Sequence, residues 1–397
     1  MPWNETNAMR ERIRFIHEWE KGDLTMAGVC RKYGVSRPTG YKWIQRYLEL
    51  EGDLTALVDL PRTPHYHPWT TDALMVDLII RARRQQPTWG PRKLRERLRR
   101  AYPKIDLPAP STIGAILKRY GLSSARQRRR RTPPWTDPLS HSTTPNSVWC
   151  TDFKGQFKTG DGVHCYPLTL MDACTRFLVR CHALLETTAS ATRPVYESAF
   201  REYGLPHAIR SDNGSPFAST GPGGLTKLSV WWVKLGIRHE RIEPGQPQQN
   251  GRHERMHRTL KAETATPPRA SMRAQQRAFD LFRRSYNEDR PHEALGGKSP
   301  ADVYRASQRC FPEREPRMDY PFEKDVVCVD DQGRCKWGRR TIHVGTALAG
   351  EPVLFQPIDE RCWEVFFGPV LLGVVDSSES KGGLLQPRRR WKKVSTM

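Results

Sequence analysis

The stretch Gly245-Gln-Pro-Gln-Gln-Asn-Gly-Arg-His-Glu254-Arg-Met-His-Arg-Thr-Leu-Lys261 is the part of the sequence around which the rest is organised. A turn rich in glycine, proline and amide residues leads into residues of good helix propensity, which predicts a loop followed by a helix. Asn250, Glu254, Arg258 and Lys261 recur at intervals of three and four residues and would share one helical face. On its own, this carboxylate in a basic stripe is equally typical of a solvated Glu254–Arg258 ion pair.

The chain is strongly basic. Its 397 residues include 65 Lys and Arg against 43 Asp and Glu, a formal charge of +22. Residues 88–131 carry 14 basic and two acidic side chains, and five more basic residues lie between Arg388 and Lys393. Because charge localised in this way favours a polyanionic partner, we expect the protein to bind nucleic acid. The length predicts roughly two to four domains.

Cysteine usage and hydropathy predict the compartment. The nine cysteines include no Cys-x-x-Cys pair, which favours reduced thiols and gives no sign of a cysteine zinc site. No stretch has the length and apolarity of a membrane span or an export signal. We therefore expect a cytoplasmic protein that associates with nucleic acid and has no membrane partner.

Residues 1–50 predict a helix-turn-helix DNA-binding domain. A helix would end at Gly34, and Ser36 would cap a second helix with Pro38 in its first turn. This order of helix, glycine turn and capped basic helix is typical of DNA-binding units, although an ordinary helical hairpin would have the same pattern. The residues predicted to contact DNA are Arg37, Thr39, Lys42 and Arg46.

A linker over residues 51–71 precedes a predicted second helical DNA-binding domain, residues 72–124. Gly90 and Pro91 would open one of its helices and Ser111 would cap another. Arg92 and Lys93 belong to its basic surface and are predicted to contact DNA. Residues 125–140 form a basic linker, for which we expect contact with the phosphate backbone.

From residue 141 to 305 the pattern changes to an α/β unit, and further on to strands alone. Three antiparallel strands followed by alternating helices and strands predict a mixed sheet. Five short, turn-bounded strands within residues 320–378 predict a small β-barrel. Residues 379–397 form a basic tail that we expect to be disordered. The predicted fold class is thus multidomain α+β.

Three acidic residues of the α/β unit occur in comparable settings. Asp152 lies in the first strand, Asp212 ends a later strand before a turn, and Glu254 follows a turn at a helix start. Carboxylates in such places can converge at one edge of a sheet, where they repel each other unless cations lie between them. Hard oxygen ligands favour Mg²⁺ or Mn²⁺, and two such ions about 3.5–4 Å apart support in-line phosphoryl displacement.

The motifs around these acids resemble the DDE integrase-core family. They are Trp149-x-x-Asp152, Ser211-Asp-Asn-Gly214-x-x-Phe217 and Pro247-Gln-x-Asn-Gly-x-x-Glu254, joined by Asp172-x-x-x-Arg176 and Tyr286-Asn-x-x-Arg-Pro-His292. The set is most similar to that of bacterial insertion-sequence transposases with a retroviral-integrase-like core and an N-terminal helix-turn-helix. Three motifs in the right order are far more specific than any one alone.

The resemblance implies an RNase H-like integrase core over residues 141–305 and a DNA transposase that cleaves and joins DNA strands. Asp152 and Asp212 would share one metal ion, Asp152 and Glu254 the other, so two Mg²⁺ (or Mn²⁺) ions serve each site. It also implies that Gln248 and Asn250 line the loop and that Arg258 and Lys261 contact DNA. Element ends and target DNA are the implied partners, bound by a homo-oligomer.

Two departures and two alternatives accompany this prediction. Asp212 and Glu254 are separated by 41 residues, more than is usual in the family, and the surplus maps to the glycine-rich segment 219–224. A helix-turn-helix replaces the zinc domain of retroviral integrases, so no zinc is expected.

The alternatives are an inactive, transposase-derived DNA-binding regulator and a nuclease of the same fold without strand transfer. Asp172 is expected to support the core, and His253 and His257 to lie on the surface.

Overall fold

The structure, a computed structural model, describes residues 7–60, 70–123, 142–243, 249, 251–320, 325–378 and 383–385. The chain separates into two compact units, Met1–Thr70 and Thr71–Met397. Within the ranges given above, no helix is long and apolar enough to cross a membrane. Gln248, Asn250 and the predicted basic linker 125–140 lie outside the described residues.

The first unit is helical, as predicted. It contains α1 (Ala8–Lys21), α2 (Met26–Lys32) and α3 (Arg37–Glu49). Gly34 adopts a positive φ of 63° in the turn between α2 and α3, a conformation that glycine adopts without steric cost. Ser36 caps α3, because its hydroxyl accepts a hydrogen bond from the Thr39 amide at 3.3 Å. The turn and cap predicted from the sequence are therefore present.

The core of this unit extends into the predicted linker. Phe15, Ile16, Val29, Cys30 and Ile44 cluster with Leu57, which lies in a 3₁₀ turn, Leu54–Leu57, and is fully buried. The backbone after α3 thus folds back to close the three-helix core.

The second unit begins with a three-helix bundle, α4 (Ala73–Gln85), α5 (Pro91–Ala101) and α6 (Pro110–Arg119). Trp89, Leu94 and Ile113 are among its buried residues. The predicted cap at Ser111 is wrong by two residues, because the N-cap position is held by Ala109. Helix α6 starts at Pro110 after Ala109, with no side-chain cap, because proline already has the φ that a first helical residue needs.

A mixed sheet with helices on both faces follows. Its strands are β1 (Val148–Phe153), β2 (Phe157–Lys158), β3 (His164–Asp172), β4 (Leu178–Leu184), β5 (Ala208–Ser211) and β6 (Arg238–Arg241). The order is β2-β3-β1-β5-β6, with β4 also on β3. Strand β1 pairs antiparallel with β3 and parallel with β5, which in turn is parallel to β6. This confirms the predicted mixed α/β core.

Two hydrophobic clusters hold the helices to the sheet. Helices α7 (Ala189–Tyr203) and α8 (Lys227–Lys234) cover one face, where Trp149, Leu168 and Phe200 are buried together. Helices α9 (Gly251–Thr264) and α10 (Met272–Glu288) cover the other. Alternate strand residues point to opposite faces, so β3 contributes to both clusters. The short helix α11 (Pro300–Val303) ends this part.

The C-terminal part is all-β, as predicted, but its described strands do not close into one hydrogen-bonded barrel. The strands are β7 (Val326–Cys328), β8 (Arg334–Trp337), β9 (Arg340–His343), β10 (Pro352–Pro357), β11 (Cys362–Phe367) and β12 (Val370–Asp376). They form a four-stranded antiparallel sheet, β12-β11-β10-β7, and a separate hairpin, β8-β9. One hydrophobic core joins the sheet and the hairpin, and in it the Trp337 and Phe355 rings stack with their centroids 5.1 Å apart. Within the predicted disordered tail, Leu385 forms a β-bridge with Val374.

The C-terminal sheet packs on the α/β core. Leu225, Val230 and Val233, at and within α8, belong to the same hydrophobic cluster as the sheet. The Lys234 ammonium lies 2.6 Å from the carboxylates of both Glu315 and Glu351. The surplus segment 219–224 therefore leads into a packed interface.

Candidate active site

Two of the predicted acidic residues emerge side by side from the sheet. Strands β1 and β5 are parallel neighbours, with Cys150 opposite Arg210. Asp152 lies two residues beyond Cys150, and Asp212 lies two residues beyond Arg210. The same register therefore places both carboxylates at one end of the sheet. The Asp212 carboxylate accepts a hydrogen bond from the Gly214 amide at 3.2 Å, which fixes the turn after β5.

Glu254 lies in the first turn of α9. The buried face of this helix consists of His253, Met256, His257, Leu260 and Thr264. Glu254, Arg258 and Lys261 are exposed on the remaining surface. No Glu254–Arg258 ion pair is present in the described part of the chain, so the carboxylate and the basic stripe are both available to other groups.

Electrostatics couple the three acids. Burial, together with the negative charges of Asp212 and Glu254, raises the pKa of Asp152 to about 7. A carboxylate in such a position is stabilised in its ionised form by a cation. The oxygen donors thus suit a hard divalent cation. Nevertheless, among the described residues no group of three His, Cys, Asp or Glu side chains is close enough to hold a metal ion.

A buried polar cluster that we did not predict lies beneath Asp152. His253 and His257 are buried, so the expectation of surface histidines is wrong. The Nε2 atoms of both lie 2.6 Å from Thr169 Oγ1. Burial lowers the pKa of His253 to about 3 and that of His257 further, so both rings are neutral. The sequence held a signal for this: both share the helical face of Met256 and Leu260.

Asp172 supports the site from the end of β3. It is fully buried. Its carboxylate accepts hydrogen bonds from the amides of Asn146 and Thr175 at 2.7 Å each, and from the Thr175 hydroxyl at 2.7 Å. These bonds tie the chain before β1 to the turn after β3, in keeping with the predicted supporting role.

The predicted recognition helix α3 presents part of its basic set. Arg37 and Lys42 are exposed, and Thr39 is partly exposed. Arg46 is instead engaged within the unit, because its guanidinium donates to the Val58 carbonyl at 3.0 Å and lies 4.8 Å from the centre of the Trp43 ring. Lys42 stays exposed although its ammonium lies 5.3 Å from the centre of the same Trp43 ring, so Arg37 and Lys42 are the exposed cations of α3.

In the second helical bundle, the two residues predicted to contact DNA differ in exposure and in their charged neighbours. Arg92 is exposed, but its guanidinium lies 2.6 Å from the Glu293 carboxylate. Lys93 is partly buried on α5. Burial, followed by the positive charge of Arg290, lowers the pKa of Lys93 to about 8.

Comparisons with known proteins agree with this architecture. The Integrase core domain family matches residues 142–247 and 235–300, and Homeodomain-like domain families match residues 6–58 and 39–117. The two kinds of match indicate a DNA-binding protein with an integrase core. Residues 142–300 of the chain are therefore similar to the Integrase core domain family.

Relatives from insertion elements share much of the chain. An uncharacterized 39.2 kDa protein of insertion element IS476 from Xanthomonas euvesicatoria is 28% identical over 244 residues, covering 60% of this chain and 67% of the relative. An uncharacterized 31.7 kDa protein of insertion element IS407 from Burkholderia multivorans is 28% identical over 193 residues, covering 48% of this chain and 67% of the relative. These matches confirm the resemblance to insertion-sequence proteins.

Among solved structures, the magnesium complex of the HTLV-2 integrase catalytic core domain aligns with a TM-score of 0.33. It is 17% identical and covers 42% of this chain and 99% of its own.

Proposed function

We propose that this protein is a DNA transposase that binds the ends of its mobile element and catalyses metal-dependent strand cleavage and strand transfer. The observation that carries the proposal is the alignment of Asp152 and Asp212 at the ends of parallel strands, in electrostatic contact with Glu254. The match to an integrase core and the two matches to Homeodomain-like domains support DNA as the substrate.

Each of the three acids has a distinct part in the proposed site. Asp152 and Asp212 offer oxygen donors from the rigid sheet, whereas Glu254 offers one from the first turn of α9. Mg²⁺ or Mn²⁺ ions bound by these oxygen donors would activate the nucleophile and stabilise the charge that develops on the attacking and leaving oxygens during in-line phosphoryl displacement. In this proposal Asp152 and Asp212 would hold one ion, and Asp152 and Glu254 would hold the other.

The surrounding residues hold the acids and the DNA. The Thr169, His253 and His257 cluster supports Asp152 from the interior of the fold. Arg258 and Lys261, one and two turns beyond Glu254 on α9, are placed to contact DNA phosphates. Gln248 and Asn250 complete the loop before α9 in this proposal. Since two element ends must be joined, the active form is a homo-oligomer on DNA.

A DNA-binding regulator without catalysis is the second candidate. The observation that favours it is the lack of a preassembled three-carboxylate group among the described residues. Incubating the protein with a labelled duplex that carries the element end distinguishes the transposase from the regulator. A transposase nicks the duplex and joins its 3′ end to target DNA with Mg²⁺ or Mn²⁺ but not with EDTA, whereas the regulator binds without products.

A further inference from the structure

The second helical bundle docks on the C-terminal end of α9, the helix that carries Glu254 in its first turn. Thr88, which lies just before α5, donates a hydrogen bond from its hydroxyl to the Glu263 carboxylate at 2.6 Å. Glu263 lies in the last turn of α9. The bundle is therefore joined to the end of this helix that is remote from the candidate active site.

The same carboxylate neutralises a buried arginine. Arg290 Nη1 lies 3.0 Å from Glu263, and the Arg290 side chain is only 9% exposed. The Trp89 ring is buried in the core of the bundle, and its centre lies 5.8 Å from the Arg290 guanidinium carbon. The bundle thus shields the Arg290–Glu263 pair from water, and such a pair interacts more strongly than one in solvent.

A second docking point lies on the segment before α11. Arg100 Nη2 lies 3.1 Å from Asp302 Oδ2 and donates to the Gly297 carbonyl at 2.8 Å. Gly297 has a φ of 83°, and a Cβ atom there would lie 3.2 Å from the carboxyl carbon of Glu96 on α5. Because glycine permits this close approach, the bundle is held at two points and its orientation on the core is defined.

Helix geometry relates the docking point to Glu254. Glu263 follows Glu254 by nine residues, which is about 14 Å along the axis and about two and a half turns. The two carboxylates therefore lie on opposite sides of α9. Met256 and Leu260, between them, are buried in one cluster with Phe282 of α10. A rigid helix held only at its middle can rock, so the contacts of Glu263 limit the movement of Glu254.

We propose that Glu263 is a positioning residue for Glu254, held in place by Arg290 and by Thr88 of the second helical bundle. The bundle is then part of the frame of the active site, a task separate from contact with DNA. The inference rests on the proposed function, in which Glu254 shares a metal ion with Asp152. Misplacement of a reacting group by about 1 Å can cost on the order of 100-fold in rate, so a small tilt of α9 is sufficient.

Thr88→Val tests the proposal, because valine keeps the shape of threonine and leaves the Arg290–Glu263 pair in place. We expect the rate of strand transfer at saturating element-end duplex to fall about tenfold, within the range that a shift of less than 1 Å can produce. The KM for the duplex should stay unchanged, because no cation is lost. Thr88→Ser, which keeps the hydroxyl, should restore the rate.

Two further variants complete the series. Glu263→Gln should have a larger effect than Thr88→Val, because it also leaves the buried Arg290 without its charged partner. Thr112→Val is the matched control. Thr112 is exposed on α6 of the same bundle, and its hydroxyl makes no hydrogen bond with the residues that the structure describes.

Hydrogen exchange separates positioning from attachment of the bundle alone. If Glu263 only attached the bundle, Thr88→Val would raise exchange in the last turn of α9 and nowhere else in that helix. The positioning role predicts that exchange also rises at the amides of residues 255–258, whose hydrogen bonds close the first turn of α9. Thr112→Val should leave both ends unchanged.

Unchanged exchange at residues 255–258 in Thr88→Val, or equal effects of Thr88→Val and Thr112→Val, would overturn the inference. A wild-type protein that joins no DNA, in a series that shows the expected exchange pattern, would contradict the proposed function and still support the link between Glu263 and the turn of Glu254.

Discussion

His257 Nδ1 lies 3.6 Å from Asp152 Oδ2, and Thr169 Oγ1 lies 2.6 Å from Nε2 of the same imidazole. The first distance exceeds that of an ordinary hydrogen bond. Since burial keeps the pKa of His257 far below its usual value, the contact joins a carboxyl group to a neutral ring and is no ion pair. The Thr169 hydroxyl also donates to the Asp152 carbonyl at 3.1 Å, so it links the helix of Glu254 to the strand of Asp152.

Thr169→Val should destabilise the second unit. The valine leaves two buried imidazole nitrogens without their partner, and an unsatisfied buried polar group costs about 1–3 kcal/mol. Urea unfolding should show this loss for Thr169→Val, while Thr169→Ser, which keeps the hydroxyl, should remain near the wild type. Equal stability of the two variants would show that the hydroxyl does not hold the cluster.

Stability should fall as the pH drops below about 6.5. His239 is partly buried and bonded to the Ser211 hydroxyl at 2.9 Å, and burial lowers its pKa from 6.5 to about 4. The unfolded chain then takes up a proton that the folded chain does not, so stability present above pH 6.5 is lost as the pH falls toward 4. Each pKa unit corresponds to roughly 1.4 kcal/mol.

Chemical unfolding between pH 7.5 and 4 measures this dependence. His239→Gln should make the profile in that window shallower, with the remaining slope due to the buried His253 and His257, whereas substitution of the exposed His164 should leave the slope unchanged. A His239→Gln profile as steep as that of the wild type would contradict the assignment.

Sequence patterns predicted the elements that depend on local chemistry. The positive φ at Gly34, the cap at Ser36 and the mixed sheet follow from turn residues and from hydrophobic periodicity. The order of Asp152, Asp212 and Glu254 could also be predicted, because each lies in a short motif. Their approach in space depends on the parallel pairing of β1 with β5, which no local pattern specifies.

Tertiary packing explains the errors. His253 and His257 are polar by residue type, but Thr169, 84 and 88 positions away in the chain, is a hydrogen-bond partner for the Nε2 atom of each in the interior. The predicted barrel depended on strand count alone. The hairpin β8-β9 instead packs on the four-stranded sheet through side-chain contacts, such as that between Trp337 and Trp363, and not through hydrogen bonds between strands.

Lys234→Met should loosen the C-terminal sheet from the core. The ammonium group bridges Glu315 and Glu351, and the Lys234 side chain is only 11% exposed. Because Glu315 is 36% exposed, the cluster is only partly buried, and loss of these charged hydrogen bonds should cost about 1.5–3 kcal/mol. Lys227→Met on the exposed side of the same helix is the control. Hydrogen exchange in β10 and β11 should rise in the first variant alone, and similar exchange in both would contradict the bridging role.

Arg37→Ala and Lys42→Ala should weaken recognition of the element end. Both cations are exposed on α3, and loss of one base contact costs about 1–3 kcal/mol, or roughly five- to 150-fold in affinity. Binding to duplexes with the intact end and with a scrambled end measures the effect, with Lys21→Ala at the exposed end of α1 as the control. If the wild type binds both duplexes equally, α3 is not a recognition helix.

The most direct test of the central claim compares chemistry with DNA binding in Asp152→Asn, Asp212→Asn and Glu254→Gln. Each purified variant is incubated with a labelled element-end duplex, target DNA and Mg²⁺, and its affinity for the same duplex is measured in parallel. We predict that cleavage and joining fall to background in all three while affinity stays near that of the wild type. Full strand transfer by any one of the variants would contradict the assignment of these carboxylates as the catalytic set.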